Sequence, residues 1–122
     1  AAKNAMMKAY APYSGFFVGA ALLCRGGKVY SGANIENSSY GVTSCAERTA
    51  LFSAVFDGER DFEAIAIVGG KGGKITDFCS PCGICRQALC EFCKPDLNIY
   101  LYNGNEIRQY TLGELLPCGF LL

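Results

Sequence analysis

Cys45-Ala46-Glu47-Arg48-Thr49-Ala50 and Ser80-Pro81-Cys82-Gly83-Ile84-Cys85-Arg86-Gln87 each open a run of helical periodicity. In the first run Ala50, Leu51, Ala54 and Val55 recur at helical spacing up to Gly58; the second extends from Cys82 to Cys93 and stops before Pro95. Between them Glu63 to Val68 reads as a short apolar strand closed by Gly69-Gly70. Outward on the N-terminal side, Val18 to Cys24 and Lys28 to Ala33 are strand-like and joined at Gly26-Gly27, a two-residue hairpin signal. On the C-terminal side, Leu97 to Tyr102 and Ile107 to Thr111 flank Asn103-Gly104-Asn105, a second tight turn that makes these strands antiparallel. Residues 2 to 10 favour helix until Pro12, 37 to 43 and 71 to 81 read as loops, and a short helix from Leu112 to Leu116 ends at Pro117. Hairpin, then βαβ, then hairpin implies one α/β domain over residues 1–122: a three-layer α/β/α arrangement with a five-stranded mixed sheet.

The two helix starts also carry the chemistry. A CxxC at a helix start sets two sulfurs on one face about a turn apart, close enough to share one zinc ion at ~2.3 Å each. A third sulfur from Cys45 leaves one tetrahedral position open, where zinc lowers the pKa of water to about 7. Glu47 is then the proton carrier and not a ligand. CxxC alone also marks redox sites. A preceding Cys-x-Glu followed by Pro-Cys-x-x-Cys matches instead the signature of zinc deaminases. A closed structural site made of Cys82, Cys85, Cys90 and Cys93 fails on distance, because a continuous helix separates Cys82 from Cys93 by roughly 16 Å. Three thiolates around one zinc leave a net negative charge, which two helix N-termini and the Arg48 cation would offset; an exposed solubilising arginine is the alternative reading of Arg48.

Composition narrows the class further. No apolar run approaches the ~18 residues of a membrane span, and 51% hydrophobic content is enough for a core. Eleven basic residues balance eleven acidic ones, so no field attracts a phosphate backbone, and nucleic acid and membrane partners are disfavoured. With no signal-peptide pattern, the eight cysteines fit reduced thiols in a cytoplasm better than a disulfide scaffold. Cys24, Cys79, Cys90, Cys93 and Cys118 have no ligand partner in the motif and are assigned to packing. The absence of histidine excludes imidazole ligands and bases.

The runs Tyr10-Ala11-Pro12-Tyr13-Ser14, Val18-Gly19-Ala20-Ala21-Leu22, Asn34-Ile35-Glu36-Asn37, Cys45 to Ala50, Ser80 to Gln87 and Leu115-Leu116-Pro117 together resemble the small homotetrameric, zinc-dependent cytidine deaminases over nearly the whole chain. The resemblance implies a cytoplasmic enzyme of pyrimidine salvage with one Zn2+ per subunit and active sites shared in a homotetramer. It implies that Asn34 and Glu36 bind the ribose hydroxyl, that Phe16 lines the nucleoside pocket, that Gln87 lies near the metal beside Arg48, and that Phe120 stacks on the base. Cys118-Gly119 departs from the family, which more often has small residues there. Read without the resemblance, Asn34 and Glu36 are ordinary turn residues and Phe16 a core aromatic.

The expected reaction is hydrolytic deamination of cytidine and 2′-deoxycytidine. Cys45, Cys82 and Cys85 hold the metal, and Glu47 moves a proton from water to N3 and then to the departing amine. The Ala46 amide, at a helix start, recognises the pyrimidine carbonyl. A deaminase of a related aminopyrimidine nucleoside such as blasticidin S shares the same cysteine motifs and is the alternative. A zinc-stabilised binding module is disfavoured by the intact Glu47.

Overall fold

Alternation along β1 (Phe16–Cys24) sends Ala20, Leu22 and Cys24 to one face, where all three are fully buried. In this computed structural model, which describes residues 1–122, β1 pairs antiparallel with β2 (Val29–Ala33) on one side and with β3 (Phe62–Lys71) on the other. β3 runs parallel to β4 (Asn98–Tyr102), which returns antiparallel as β5 (Ile107–Thr111). The sheet is thus mixed and five-stranded, in the order β2-β1-β3-β4-β5. Leu22, Ile65, Ile67 and Ile99 on one face meet Ala50, Leu51 and Ala54 of α2 (Ala46–Phe56) and Leu89 of α3 (Gly83–Phe92). The opposite face takes α1 (Ala2–Met6), whose Ala2 and Met6 pack with Val68. A short α4 (Leu112–Leu115) follows β5 and carries a complete capping box between Thr111 and Glu114.

This topology positions the site. Because β1 is antiparallel to both β2 and β3, those two strands are parallel to each other, and α2 and α3 leave from their carboxyl ends. In open α/β sheets that is the end where ligands bind. Gly32 of β2 brings α2 close: a Cβ there would lie 2.5 Å from the Ala46 carbonyl oxygen and 2.5 Å from the Ala50 nitrogen. No helix is long and apolar enough to cross a membrane.

Several boundaries differ from the sequence expectation, each for a tertiary reason. The first helix stops at Met6 and not at residue 10, because Tyr10 is hydrogen-bonded to the segment after β2: its N–H donates to the Asn34 carbonyl at 2.9 Å, and its carbonyl accepts from Glu36 N at 2.8 Å. Gly69-Gly70 does not close β3 but continues it, paired with Val18 and Phe17. A Cβ on Gly70 would stand 1.7 Å from the Lys74 carbonyl oxygen, so the strand needs glycine to pass under the loop that folds back over it. The β1–β2 turn has three residues, Arg25-Gly26-Gly27, with Gly27 at φ +100° as in a turn with a glycine bulge. Within the expected loop at 37–43, Tyr40–Val42 forms a 3₁₀ turn.

Candidate active site

Cys45 caps the N-terminus of α2 and Cys82 that of α3, where the Cys82 sulfur accepts a hydrogen bond from Cys85 N at 3.5 Å. The sulfurs of Cys45, Cys82 and Cys85 all lie within 4.8 Å of one another, and those of Cys45 and Cys82 are 3.8 Å apart. Two thiolates on one tetrahedral zinc at ~2.3 Å each have their sulfurs roughly 3.8 Å apart, so the cluster fits that ion in donor type and in spacing. The five other cysteines lie outside the cluster.

The charge environment follows. Arg48 donates from Nη2 to the Cys45 sulfur at 3.3 Å and to the Thr43 carbonyl at 3.5 Å, while its buried Nε has no partner. The guanidinium is therefore turned to the thiolates, not to solvent. Hydrogen bonding from Cys85, then from Arg48 and Cys82, pulls the Cys45 thiol down to about 5, and sharing with Cys45 pushes Cys85 up. Glu47 is only 4% exposed, and burial raises its carboxyl to about 7.

A cavity of about 300 Å³ opens over this cluster. Its walls include Phe16, Asn34, Glu36, Cys45, Ala46, Glu47 and Cys82, so the structure brings most of the expected site residues together. The roles within the group are more specific than the sequence suggested. Asn34 is engaged with β1, accepting from Val18 N at 2.9 Å and donating to the Phe16 carbonyl at 2.8 Å, which leaves one N–H and one lone pair for a ligand. Glu36 Oε1 accepts from Tyr13 N and Ser14 N, and Oε2 accepts from the Ser14 hydroxyl; the hydroxyl bond and then the backbone bonds hold its carboxyl below the usual range. Ala46 is the first residue of α2, where a backbone N–H lacks an intrahelical acceptor.

Gln87 and Phe120, also expected at the site, do not line this cavity. Gln87 hydrogen-bonds none of the ligands; its Nε2 donates to the Phe120 carbonyl at 2.8 Å. The Phe120 side chain, 62% exposed, does not line the cavity of its own chain. Residues missed in the sequence reading are Ser14, which orients Glu36, and Cys79, which was assigned only to packing. Cys79 lines the cavity as a neutral thiol, pushed up to about 11 by burial and then by the charges of Glu47 and Cys45. Ser14 ends the Tyr10 to Ser14 run and Cys79 directly precedes the Ser80 to Gln87 run, but neither run gives them a role, since both act through partners distant in sequence. Cys118, also expected in packing, is exposed.

The sequence model for the cytidine and deoxycytidylate deaminase zinc-binding region matches residues 1–101. A cytidine deaminase of Sporosarcina psychrophila is 50% identical over 119 residues, covering 97% of this chain and 85% of that protein. The crystal structure of cytidine deaminase from Burkholderia pseudomallei superposes with a TM-score of 0.90 at 51% identity, covering 98% of this chain and 93% of that one. A blasticidin-S deaminase of Bacillus cereus is more distant, at 34% identity over 107 residues, 84% of this chain and 76% of that protein.

Proposed function

The chain belongs to the cytidine and deoxycytidylate deaminase zinc-binding family, and on that premise we propose that it hydrolyses cytidine and 2′-deoxycytidine to uridine and 2′-deoxyuridine with release of ammonia. The observation that carries this reading is the meeting, in one nucleoside-sized cavity, of a three-thiol cluster and a buried carboxylate. Cys45, Cys82 and Cys85 hold the zinc, whose chemistry when bound is Lewis-acid activation of water. Glu47 accepts one proton of the attacking water and delivers it to N3 of the pyrimidine as the C4–O bond forms, then moves the remaining hydroxyl proton to the amine as the C4–N bond breaks and ammonia leaves. Burial suits it to this, since a carboxyl near neutrality gives a proton up as readily as it takes one. Arg48 balances the thiolate charge, and the Ala46 amide donates to the base carbonyl.

Glu36, held ionised, and the free valences of Asn34 receive the ribose hydroxyls, with Phe16 beside them. No Lys or Arg lines the cavity, so a nucleotide phosphate finds no cation there, which favours nucleoside over CMP. Active sites shared within a homotetramer are supported by Phe120, exposed on its own chain and absent from its own cavity. Eight unpaired cysteines, three of them needed as thiolates, support a cytoplasmic setting, and the proposed reaction itself is one of pyrimidine salvage. The test is loss of the cytidine ultraviolet band on adding purified protein, run beside cytosine, CMP, adenosine and blasticidin S. Turnover of cytidine and deoxycytidine is expected; turnover of blasticidin S in preference to both would replace this reading with the alternative.

A further inference from the structure

Arg86 and Gln87 follow the last metal ligand in the chain, yet neither lines the catalytic cavity. Each instead grips a distant carbonyl. Arg86 donates from Nε to the Pro81 carbonyl at 2.7 Å and from Nη1 to the Leu115 carbonyl at 2.8 Å. Gln87 donates from Nε2 to the Phe120 carbonyl at 2.8 Å. Pro81 immediately precedes the ligand Cys82, and Leu115 is the last residue of α4. A planar guanidinium presents its N–H groups in a fixed fork, so one side chain sets the ligand turn and the end of α4 in register.

Beyond Leu116 no backbone–backbone hydrogen bond holds the C-terminal tail. Cys118, at φ +60°, turns the chain back, so that Gly119 packs against Leu116 and the Cys90 sulfur. A non-glycine residue in that region is strained and persists only where neighbouring contacts hold it. The Gln87 amide, with a long Cys90 S–H contact of 4.0 Å to the same Phe120 carbonyl, supplies the hydrogen bonding that joins this turn to α3.

We propose that Arg86 and Gln87 are positioning residues that clamp the C-terminal tail to the metal-bearing helix and thereby set where Phe120 stands as a wall of the nucleoside pocket. This rests on the reading of Phe120 as that wall. The clamp acts on substrate placement and not on proton transfer, so its loss should appear in KM with kcat and zinc content preserved. Removing one neutral hydrogen bond of this kind should raise KM about fivefold.

The experiment compares Gln87→Leu, Phe120→Ala, the double variant and Arg86→Lys by zinc content, KM, kcat and the NMR order parameters of the backbone at residues 118–122. Gln87→Leu should lower the order parameters of the tail and raise KM, and it should add nothing to KM once Phe120 is alanine. Arg86→Lys keeps the charge but loses the fork, and it should move KM and the order parameters in the same direction. If the Gln87 and Phe120 effects on KM multiply, or if the order parameters in Gln87→Leu and Arg86→Lys match the parent, the clamp is overturned while the pocket-wall reading stands. If Phe120→Ala leaves KM unchanged, the pocket-wall reading falls and takes the proposal with it.

Discussion

In the metal-free chain Cys45 is held as a thiolate down to about pH 5, by hydrogen bonding from Cys85 and then from Arg48 and Cys82. A cysteine in an unfolded chain titrates near 8.5. The depressed value therefore adds stability to the metal-free fold as the pH rises from about 5 to the unfolded value, and this is lost as the pH falls through about 5; above the unfolded value the raised Cys85 thiol, which an unfolded chain would ionise, works the other way. Arg48→Gln should shift the Cys45 titration upward, as read by the ultraviolet absorbance of the thiolate in metal-free protein. An unshifted midpoint would return Arg48 to the role of a surface arginine. At this scale the three clustered cysteines and Glu47 were legible in the sequence, because Cys45 and Glu47 stand together at one helix start and Cys82 and Cys85 at another. Asn34 was not: its amide is engaged by Phe16 and Val18 across a strand pairing, and no local pattern announces that. The Gln87 hydrogen bond spans an even longer separation, to Phe120, and no local pattern announces it.

Among the elements, α2 matters most to the site, because its first turn holds Cys45 and Glu47 and its approach to β2 depends on Gly32. Gly32→Ala puts a methyl group into backbone atoms of α2 that cannot rotate away. We expect a loss of about 1–3 kcal/mol in unfolding free energy, the usual cost of overpacking, with weaker zinc retention under a chelator. Denaturant titration and metal analysis check this; a variant as stable as the parent would mean that α2 is free to shift. Helix and strand identities followed from apolar periodicity, which reflects burial on one face. Boundaries did not, where long-range contacts decided them: Gly69-Gly70 looked like a strand end, yet those residues stay in the ladder because another loop lies directly over them.

On the whole molecule, Phe56 and Phe120 are large apolar side chains left exposed on a single chain, where the proposed subunit contacts would cover them. If sites are shared, mixing Glu47→Ala chains with Phe120→Ala chains should restore activity, since some sites then combine an intact Glu47 with a neighbour's Phe120. Verified mixed oligomers without recovery, or a fully active monomer on a sizing column, would overturn sharing. The balanced net charge, legible from composition, fits a neutral nucleoside as substrate; the proposed sharing of sites comes from family resemblance, since a sequence does not record which surfaces meet. The account turns on three cysteines holding zinc while Glu47 carries the proton, and zinc content and cytidine turnover measured on one preparation of Glu47→Ala test it most directly. We predict about one zinc per chain with turnover reduced ~10²- to 10⁴-fold; loss of the zinc, or turnover equal to the parent, would contradict it.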